Sequence, residues 1–252
     1  MTLHHQLDGP EGGPPLMLCN SLGTTLEMWD PQVPALAMHF RLVRYDRRGH
    51  GRSPVPPGPY SIEDLGRDAL GLLDDLGIER VSFCGLSIGG MVGMWLASEA
   101  PDRVHRLVLC CTAPILPPRE QWLERAATVR AHGVSAIADA TLTRWFTPAA
   151  PRSLRETFRA MLVATPAEGY AGCCEALADL DLRDRLAAIE APTLVVTGAE
   201  DPVAPPEAGE LLAASITGAR HVTVAGARHI VNAEQPSTFT QHMLAHLTEE
   251  TR

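Results

Sequence analysis

The chain has 252 residues, of which 45% are hydrophobic, and its formal net charge at pH 7 is −9. That length suits one large domain, or a domain with an inserted lobe, and the apolar fraction is enough for a sizeable core. The acidic balance, without any Lys/Arg-rich run, argues against a nucleic-acid partner, and no apolar stretch is long enough to span a bilayer.

The N-terminus and the cysteines indicate the cellular compartment. Residues 1–9, MTLHHQLDG, lack the basic and apolar segments of a signal peptide. Four of the six cysteines form the vicinal pairs Cys110-Cys111 and Cys173-Cys174, and none of the six has zinc-ligand spacing. We therefore expect a cytoplasmic protein with buried free thiols and no metal site. The sequence leaves the oligomeric state open.

Short apolar runs alternate with helical patterns along most of the chain. Six runs are typical of strands, at residues 16–19, 41–46, 81–84, 104–111, 193–197 and 220–224. Helical patterns cover residues 62–76, 90–100, 201–215 and 234–248, and the first of them begins with a capping-box-like Ser61-Ile62-Glu63-Asp64. Because several strands lack polar alternation, this order predicts an α/β fold with a mostly parallel, doubly wound sheet.

One segment interrupts the alternation of strands and helices. From about Thr112 to Leu186 the sequence has helical patterns broken by prolines and no convincing strand. We therefore predict a core made of residues 1–112 and 187–252, with an all-helical cap inserted at residues 113–186. Such a cap would lie over the carboxyl edge of the sheet, where open α/β sheets bind their ligands.

The strongest chemical signal follows the third predicted strand. Cys84-Gly85-Leu86-Ser87-Ile88-Gly89-Gly90 contains the motif G-x-S-x-G between a strand and an apolar helix. That context is typical of a nucleophilic serine on a strained strand-to-helix turn. The two motif glycines lack a Cβ and relieve the crowding around the turn. We predict that Ser87 is a nucleophile, held at the positive end of the following helix.

Asp201 and His229 are the predicted acid and base for Ser87. A serine hydroxyl needs a base to remove its proton and a carboxylate to orient that base. In proteins with this motif, the acid and then the histidine follow the serine along the chain. Asp201 comes after the strand at 193–197, and His229 comes after the last strand. Glu200 is the rival acid, but Asp201 lies better before the turn set by Pro202.

His50 is the histidine that competes most with His229 for the role of base. It lies in Asp46-Arg47-Arg48-Gly49-His50-Gly51-Arg52-Ser53, before Ser87 and therefore outside the expected order. We interpret His50 as a structural loop residue. The aspartate and the arginines of this segment are expected to hold the loop together.

The segment after the first predicted strand is small and mostly polar. Attack on an ester carbonyl creates an oxyanion, which needs two N–H donors already in position. One donor comes from the residue after the nucleophile, here Ile88, and the other comes from a loop after an early strand. Asn20-Ser21-Leu22-Gly23-Thr24-Thr25 is that loop, and we predict Leu22 as the second donor.

Four segments of the chain resemble the 3-oxoadipate enol-lactonases, a family with the α/β-hydrolase fold and a helical cap. The segments are NSLGTTLEMWDPQ, RYDRRGHGRSPVPPGPYSIEDLGRD, FCGLSIGGMVGMWLA and MLVATPAEGYAGCCEAL. The resemblance covers nearly the full length. Two places depart from related sequences: Asn20-Ser21 replaces the His-Gly pair of many α/β-hydrolases, and Ile88 replaces a common methionine. Because the predicted donor at Ile88 is a backbone group, we expect that departure to be tolerated. Asn20-Ser21 in place of His-Gly narrows the broad fold to an enol-lactonase-like branch.

The resemblance implies a serine hydrolase of bacterial aromatic catabolism that opens the ring of 3-oxoadipate enol-lactone through an acyl-enzyme on Ser87. It implies no metal or organic cofactor. The substrate carries a carboxylate, so a protein of net charge −9 needs a local cation to bind it. We expect Arg144 and Trp145 of the cap to bind this small anionic lactone. Other cap arginines stay open as the cation: Arg119, Arg125, Arg130 and Arg155.

Two other kinds of function fit the same residues. The same triad serves cap-bearing carboxylesterases and hydrolases that cleave carbon–carbon bonds. A different class is a receptor on this fold that binds its ligand without turnover. Turnover of the enol-lactone compared with simple aryl esters, and the effect of Ser87→Ala, discriminate among these functions.

Overall fold

The computed structural model describes residues 1–116 and 118–249. Pro117, in the predicted cap, and residues 250–252, at the end of the predicted core, lie outside the described residues. The described chain forms a seven-stranded sheet in the order β1-β3-β2-β4-β5-β6-β7. Its strands are β1 His5–Asp8, β2 Pro15–Cys19, β3 Arg41–Tyr45, β4 Val81–Leu86, β5 Val104–Cys110, β6 Thr193–Gly198 and β7 Arg220–Val224. Strand β1 is antiparallel to β3, and the other neighbouring strands are parallel.

All six predicted strands occur, with ends that shift by no more than two residues. Strand β1 was not predicted, because its residues His5-Gln6-Leu7-Asp8 are mostly polar and partly exposed. Among the described strands it pairs only with β3, from His5 opposite Tyr45 to Asp8 opposite Leu42. An edge strand of this kind depends on its partner rather than on its own apolar pattern.

Helices follow most of the strands. Their bounds are α1 Val33–Leu36, α2 Ile62–Asp75, α3 Ile88–Glu99, α4 Arg119–His132, α5 Ala138–Trp145, α6 Arg152–Ala164, α7 Ala167–Ala178, α8 Pro206–Ser215, α9 Val231–Glu234 and α10 Pro236–Leu247. Every residue of β4 and of β6 is buried. Because successive strand residues point to opposite faces, both faces of the sheet are covered. The predicted α/β fold with a mostly parallel sheet is confirmed.

The helix ends follow local sequence signals. Ser61 Oγ accepts a hydrogen bond from the Asp64 N–H (3.0 Å), and the Asp64 carboxylate accepts one from the Ser61 N–H (2.9 Å), so the predicted capping box is confirmed. Helix α8 begins at Pro206, five residues later than predicted, because prolines 202 and 205 favour an extended backbone before them. The helix predicted at 234–248 is α10, which begins two residues later at Pro236; Gln235 separates it from the short helix α9, which ends at Glu234.

The chain between β5 and β6 lies over the loops at the carboxyl ends of the strands. In its described residues, 113–116 and 118–186, it contains helices α4 to α7 and short 3-10 turns but no strand. A Cβ placed on Gly49 would lie 2.4 Å from Gly169 Cα of α7, so core and helical segment touch backbone to backbone there. The assignment of residues 113–186 as a separate cap domain stays a prediction.

Two further findings concern the composition. All six cysteines are free and buried, as the sequence predicts. No helix in the described ranges has the length and apolar character needed to cross a membrane.

The parallel strands bring the predicted site residues to one edge of the sheet. Ser87 directly follows β4, Asp201 lies in the loop after β6, and His229 lies in the loop after β7. The loop of residues 20–25 follows β2 at the same edge. The carboxyl edge of the sheet is therefore the place to look for chemistry.

Candidate active site

Ser87 lies on the turn between β4 and α3 in a strained conformation. Its φ is 58° and its ψ is −121°, which residues with a side chain rarely adopt. The Ser87 N–H donates to the Cys110 carbonyl (2.8 Å), and the Ser87 carbonyl accepts from Thr112 Oγ1 (2.8 Å). These contacts with the end of β5 hold the turn at the carboxyl edge.

Two glycines let the Ser87 turn pack closely. A Cβ placed on Gly85 would lie 2.1 Å from the Gly89 carbonyl oxygen, and one on Gly89 would lie 2.2 Å from the Cys19 carbonyl oxygen. Neither distance leaves room for a side chain. The glycines of the motif therefore bring the Ser87 turn against the loop that follows β2.

His229 and Asp201 form a buried hydrogen-bonded pair. His229 Nδ1 lies 2.8 Å from Asp201 Oδ2, and both residues are at most 3% exposed. The Val203 N–H donates to Asp201 Oδ1 (2.8 Å), so each carboxylate oxygen has a partner. Glu200, the rival acid, is exposed. The Asp201 carboxylate thus holds Nδ1, which leaves Nε2 of the ring to exchange a proton with a neighbour.

A cavity of about 450 Å³ lies between the carboxyl edge and the helices above it. Ser87 and His229 both line it, although no hydrogen bond joins the Ser87 hydroxyl to His229 in residues 1–116 and 118–249. Hydrogen bonds between such groups commonly tighten only when substrate is bound. The cavity can therefore hold a small molecule against both side chains.

The backbone N–H groups of Leu22 and Ile88, both near Ser87, have no protein acceptor within the described ranges. Leu22 lines the cavity and Ile88 is the first residue of α3. The carbonyl of the Ser21–Leu22 peptide accepts from Thr24 Oγ1 (2.9 Å), and the next N–H, that of Gly23, donates to His50 Nε2 (3.0 Å). These contacts fix the peptide that carries the Leu22 N–H.

Arg125 and Arg144 bring positive charge to the cavity. Arg125 Nε donates to the Tyr170 hydroxyl (2.9 Å), and its guanidinium lies over the rings of Trp122 and Tyr170. Arg144 is half-buried, and burial together with the charge of Arg125 lowers its pKa. Neither guanidinium has a carboxylate partner in the part of the chain that the structure describes. Glu124 also lines the cavity but is exposed.

The other three candidate arginines lie elsewhere. Arg119 and Arg130 form ion pairs with carboxylates of the same helical segment (2.7 and 2.8 Å). Arg155 donates to the Thr147 carbonyl. None of the three lines the cavity. The structure thus brings Arg144 and one of the alternatives, Arg125, to the cavity.

Trp145 forms an apolar wall of the cavity at the end of α5. It is buried and meets the ring of Phe158 edge-on, with 6.2 Å between the ring centres. Its carbonyl accepts from the N–H of Ile230, the residue after His229 (3.2 Å). The helical segment is therefore tied directly to the His229 loop.

Several cavity residues were not predicted from the sequence, among them Trp122, Thr141 and Tyr170. Trp122 and Arg125 are three residues apart on α4, and this spacing places them on one helix face. That signal was available in the sequence. Tyr170 is found only through the packing of α7 against α4, which no local pattern reveals.

One cluster of metal-ligand-type side chains occurs in the described residues. The ligand atoms of Cys111, Asp201 and His229 lie within 4.8 Å of one another. Burial, followed by the charge of Asp201, raises the pKa of the Cys111 thiol and so disfavours the thiolate that binds metals. The hydrogen bond between Asp201 and His229 already accounts for their closeness, so the geometry favours an acid–base pair over a metal centre.

Comparison with known proteins gives the family. A family model described as the alpha/beta hydrolase fold matches residues 14–236. The chain belongs to the α/β-hydrolase fold family. The 3-oxoadipate enol-lactonase 2 of Acinetobacter baylyi is 40% identical to this α/β-hydrolase over 242 residues, which are 95% of this chain and 90% of that protein.

Solved structures give the same result. A hydrolase from Pseudomonas aeruginosa superposes with a TM-score of 0.94 and 51% identity, over 98% of this chain and 94% of that one. The enol-lactonase from Burkholderia xenovorans superposes with a TM-score of 0.94 and 46% identity, over 98% of this chain and 96% of that one. The α/β-hydrolase fold and the resemblance to the enol-lactonases are confirmed.

Proposed function

We propose that this α/β-hydrolase opens the ring of 3-oxoadipate enol-lactone to give 3-oxoadipate. One observation carries the proposal: a single cavity is lined both by Ser87 and His229 and by two arginines without a carboxylate partner in the described ranges. The similarity to two proteins named as enol-lactonases supports this substrate.

The first half of the reaction forms an acyl-enzyme. Ser87 Oγ attacks the lactone carbonyl while His229 Nε2 takes its proton, and Asp201 stabilises the imidazolium through Nδ1. The negative oxygen of the tetrahedral intermediate accepts hydrogen bonds from the Leu22 and Ile88 N–H groups, which have no other acceptor in the described structure. The ring oxygen then leaves, receives the proton from His229, and stays tethered to the acyl chain as an enol.

The second half releases the product. The enol tautomerises to a ketone, which makes ring opening hard to reverse. Water, deprotonated by His229, attacks the ester carbonyl, and the Ser87 oxygen leaves with the proton. The net change is addition of one water to the lactone. No step needs a metal or an organic cofactor.

Arg125 and Arg144 are proposed to bind the substrate carboxylate. A guanidinium pairs well with a carboxylate, especially in a site that excludes water. Their positive charge also offsets the net charge of −9, which repels an anionic substrate at long range. Trp145 would pack against the flat lactone ring.

The enol-lactone assay tests this function directly. Ser87→Ala is expected to lower kcat by roughly ten-thousandfold or more, because the nucleophile is lost. Ser98→Ala is the matched control: Ser98 is in the same helix, its hydroxyl donates to the Trp95 carbonyl, and the variant should retain wild-type activity. Activity within tenfold of wild type in Ser87→Ala would rule out the mechanism.

The same assay separates the rival functions. An enol-lactonase should have a kcat/KM for the lactone at least a hundredfold above that for a simple aryl ester. Equal or better turnover of the ester would indicate a general carboxylesterase, and binding without any turnover would indicate a receptor.

The proposal includes a cytoplasmic location and a small anionic lactone as partner, rather than nucleic acid. Six buried free cysteines support a reducing compartment. The net charge of −9 disfavours binding to nucleic acid.

A further inference from the structure

Arg47 is a buried cation without an acidic partner in the part of the chain that the structure describes. It is 3% exposed, and its Nε and Nη1 atoms have no hydrogen-bond partner there; both are orphaned buried donors. Arg44, three residues earlier in β3, is 5% exposed but pairs with Asp8 and Asp30. An uncompensated buried charge destabilises a fold, so Arg47 calls for an explanation other than stability.

The Arg47 side chain donates a hydrogen bond to the loop of residues 20–25, which carries the Leu22 N–H. Its Nη2 donates to the carbonyl of Asn20, the residue that opens the loop carrying Leu22. The same carbonyl oxygen would lie 2.7 Å from a Cβ placed on Gly89, so it also packs against the first turn of α3. Arg47 therefore lies where the loop after β2 meets the Ser87 turn.

His50 holds the other end of the same loop. Its Nε2 accepts from the Gly23 N–H (3.0 Å), and the ring is fully buried. Burial and the charge of Arg47 lower the pKa of His50 to about 3, so the imidazole stays neutral and can accept this hydrogen bond. The segment after β3 thus fixes the carbonyl of Asn20 and the N–H of Gly23, on either side of the Leu22 N–H.

We propose that Arg47 is a positioning residue for the oxyanion of the reaction. Its guanidinium fixes the Asn20 carbonyl, and its uncompensated charge stabilises the negative oxygen that develops between the Leu22 and Ile88 N–H groups. A buried charge acts strongly there because little water screens it. The inference rests on the proposed function and deepens it.

A catalytic role for the charge of Arg47 and a purely structural role predict different effects of a substitution on Tm and activity. A structural arginine stabilises the fold, so its loss would lower both Tm and activity. An uncompensated cation kept for catalysis should behave differently, since its replacement by an apolar side chain of similar length removes the free-energy cost of burying a charge. Arg47→Met is therefore expected to lower kcat while Tm stays the same or rises.

The experiment compares Arg47→Met and Arg47→Lys with Arg48→Met as matched control. Arg48 is the next residue in the same loop, but it pairs with Asp68 and lies over the Tyr60 ring. Each variant is assayed for kcat and KM on the enol-lactone. Inhibition is then measured with two ligands: 3-oxoadipate, and a carboxylate-bearing trifluoromethyl ketone, to which Ser87 Oγ adds to leave a negative oxygen.

The expected pattern is specific to the oxyanion. Arg47→Met should lower kcat by roughly 10- to 100-fold and weaken the binding of the trifluoromethyl ketone by a similar factor. KM and the binding of 3-oxoadipate should change by less than about threefold. Arg47→Lys, which keeps the charge, should recover most of the loss. Arg48→Met should keep wild-type kcat.

Three results would overturn the inference. These are an unchanged kcat in Arg47→Met, an equal loss of binding affinity for both inhibitors, or no recovery of kcat in a folded Arg47→Lys variant. If Arg47→Met does not fold, Arg47→Gln gives the same comparison. The inference and the proposed function fail separately, because the function is decided by Ser87→Ala and the inference by the ratio of the two inhibition constants.

Discussion

The two sides of the cavity are built in different ways. On the sheet side, Ser87 and the His229–Asp201 pair follow strand ends and are nearly fully buried. On the helical side, Arg125 and Arg144 are partly exposed, are carried by α4 and α5, and have no carboxylate partner in the described residues. The difference suggests that backbone geometry sets the chemistry, whereas side chains on the helices select the substrate.

The largest effect should come from the sheet side. Asp201→Asn is expected to lower kcat by about ten-thousandfold, because the amide no longer stabilises the imidazolium or its working tautomer. Steady-state kinetics on both the enol-lactone and an aryl ester would show the same loss. Glu200→Gln is the matched control, since Glu200 is exposed, and it should keep wild-type rates. A comparable loss of kcat in Glu200→Gln would show that the assignment of Asp201 as the acid is wrong.

A smaller and selective effect should come from the helical side. Arg125→Met and Arg144→Met are each expected to lower kcat/KM for the enol-lactone by roughly 10- to 100-fold, the worth of a charge-assisted hydrogen bond. Hydrolysis of uncharged p-nitrophenyl acetate should change little. Arg119→Met, outside the cavity and paired with Asp179, should affect neither substrate. Equal losses of kcat/KM on both substrates would contradict the assignment of substrate selection to the helical side.

The smallest effect concerns the stability of the fold in acid, and it comes from the core rather than from the helical side of the cavity. Burial lowers the pKa of His50 to about 3 and that of His246 to about 4, both in the core. Unfolded histidine has a pKa of about 6.5, so below this pH the unfolded chain binds protons that the folded chain does not. The free energy of unfolding should therefore decrease as the pH is lowered below 6.5, by up to about 1.4 kcal/mol per pH unit for each histidine.

Urea unfolding at pH 7, 6 and 5 measures this dependence. His50→Gln removes one titrating group and should flatten the curve below pH 6.5. A stability that stays constant from pH 7 to 5, or a slope unchanged in His50→Gln, would contradict the assignment of a neutral buried imidazole.

The residues at the sheet edge could be predicted from the sequence because they follow strands. Each buried parallel strand has a strong local signal, and parallel strands necessarily end at the same edge. The motif around Ser87 then fixes which residue to seek after each later strand. The structure does bring Ser87 and His229 to one cavity and Asp201 to His229.

Other features depend on tertiary packing and could not be predicted in this way. Strand β1 forms only through pairing with β3, and its own sequence is polar. The choice between Arg125, Arg144 and the other arginines depends on how α4, α5 and α7 pack, since every one of these arginines lies on a helical pattern. The burial of Arg47, without an acidic partner in the described residues, could likewise not be predicted from a segment with the pattern of a charged loop.

The central claim is that one cavity joins the oxyanion donors of the core to the arginines of the helical segment. A crystal structure of Ser87→Ala with the enol-lactone bound tests it most directly. The lactone carbonyl oxygen should lie about 3 Å from the Leu22 and Ile88 nitrogens, with the carboxylate about 3 Å from the guanidinium of Arg125 or Arg144. A carboxylate bound away from both arginines, or a carbonyl oxygen turned away from both N–H groups, would contradict the account.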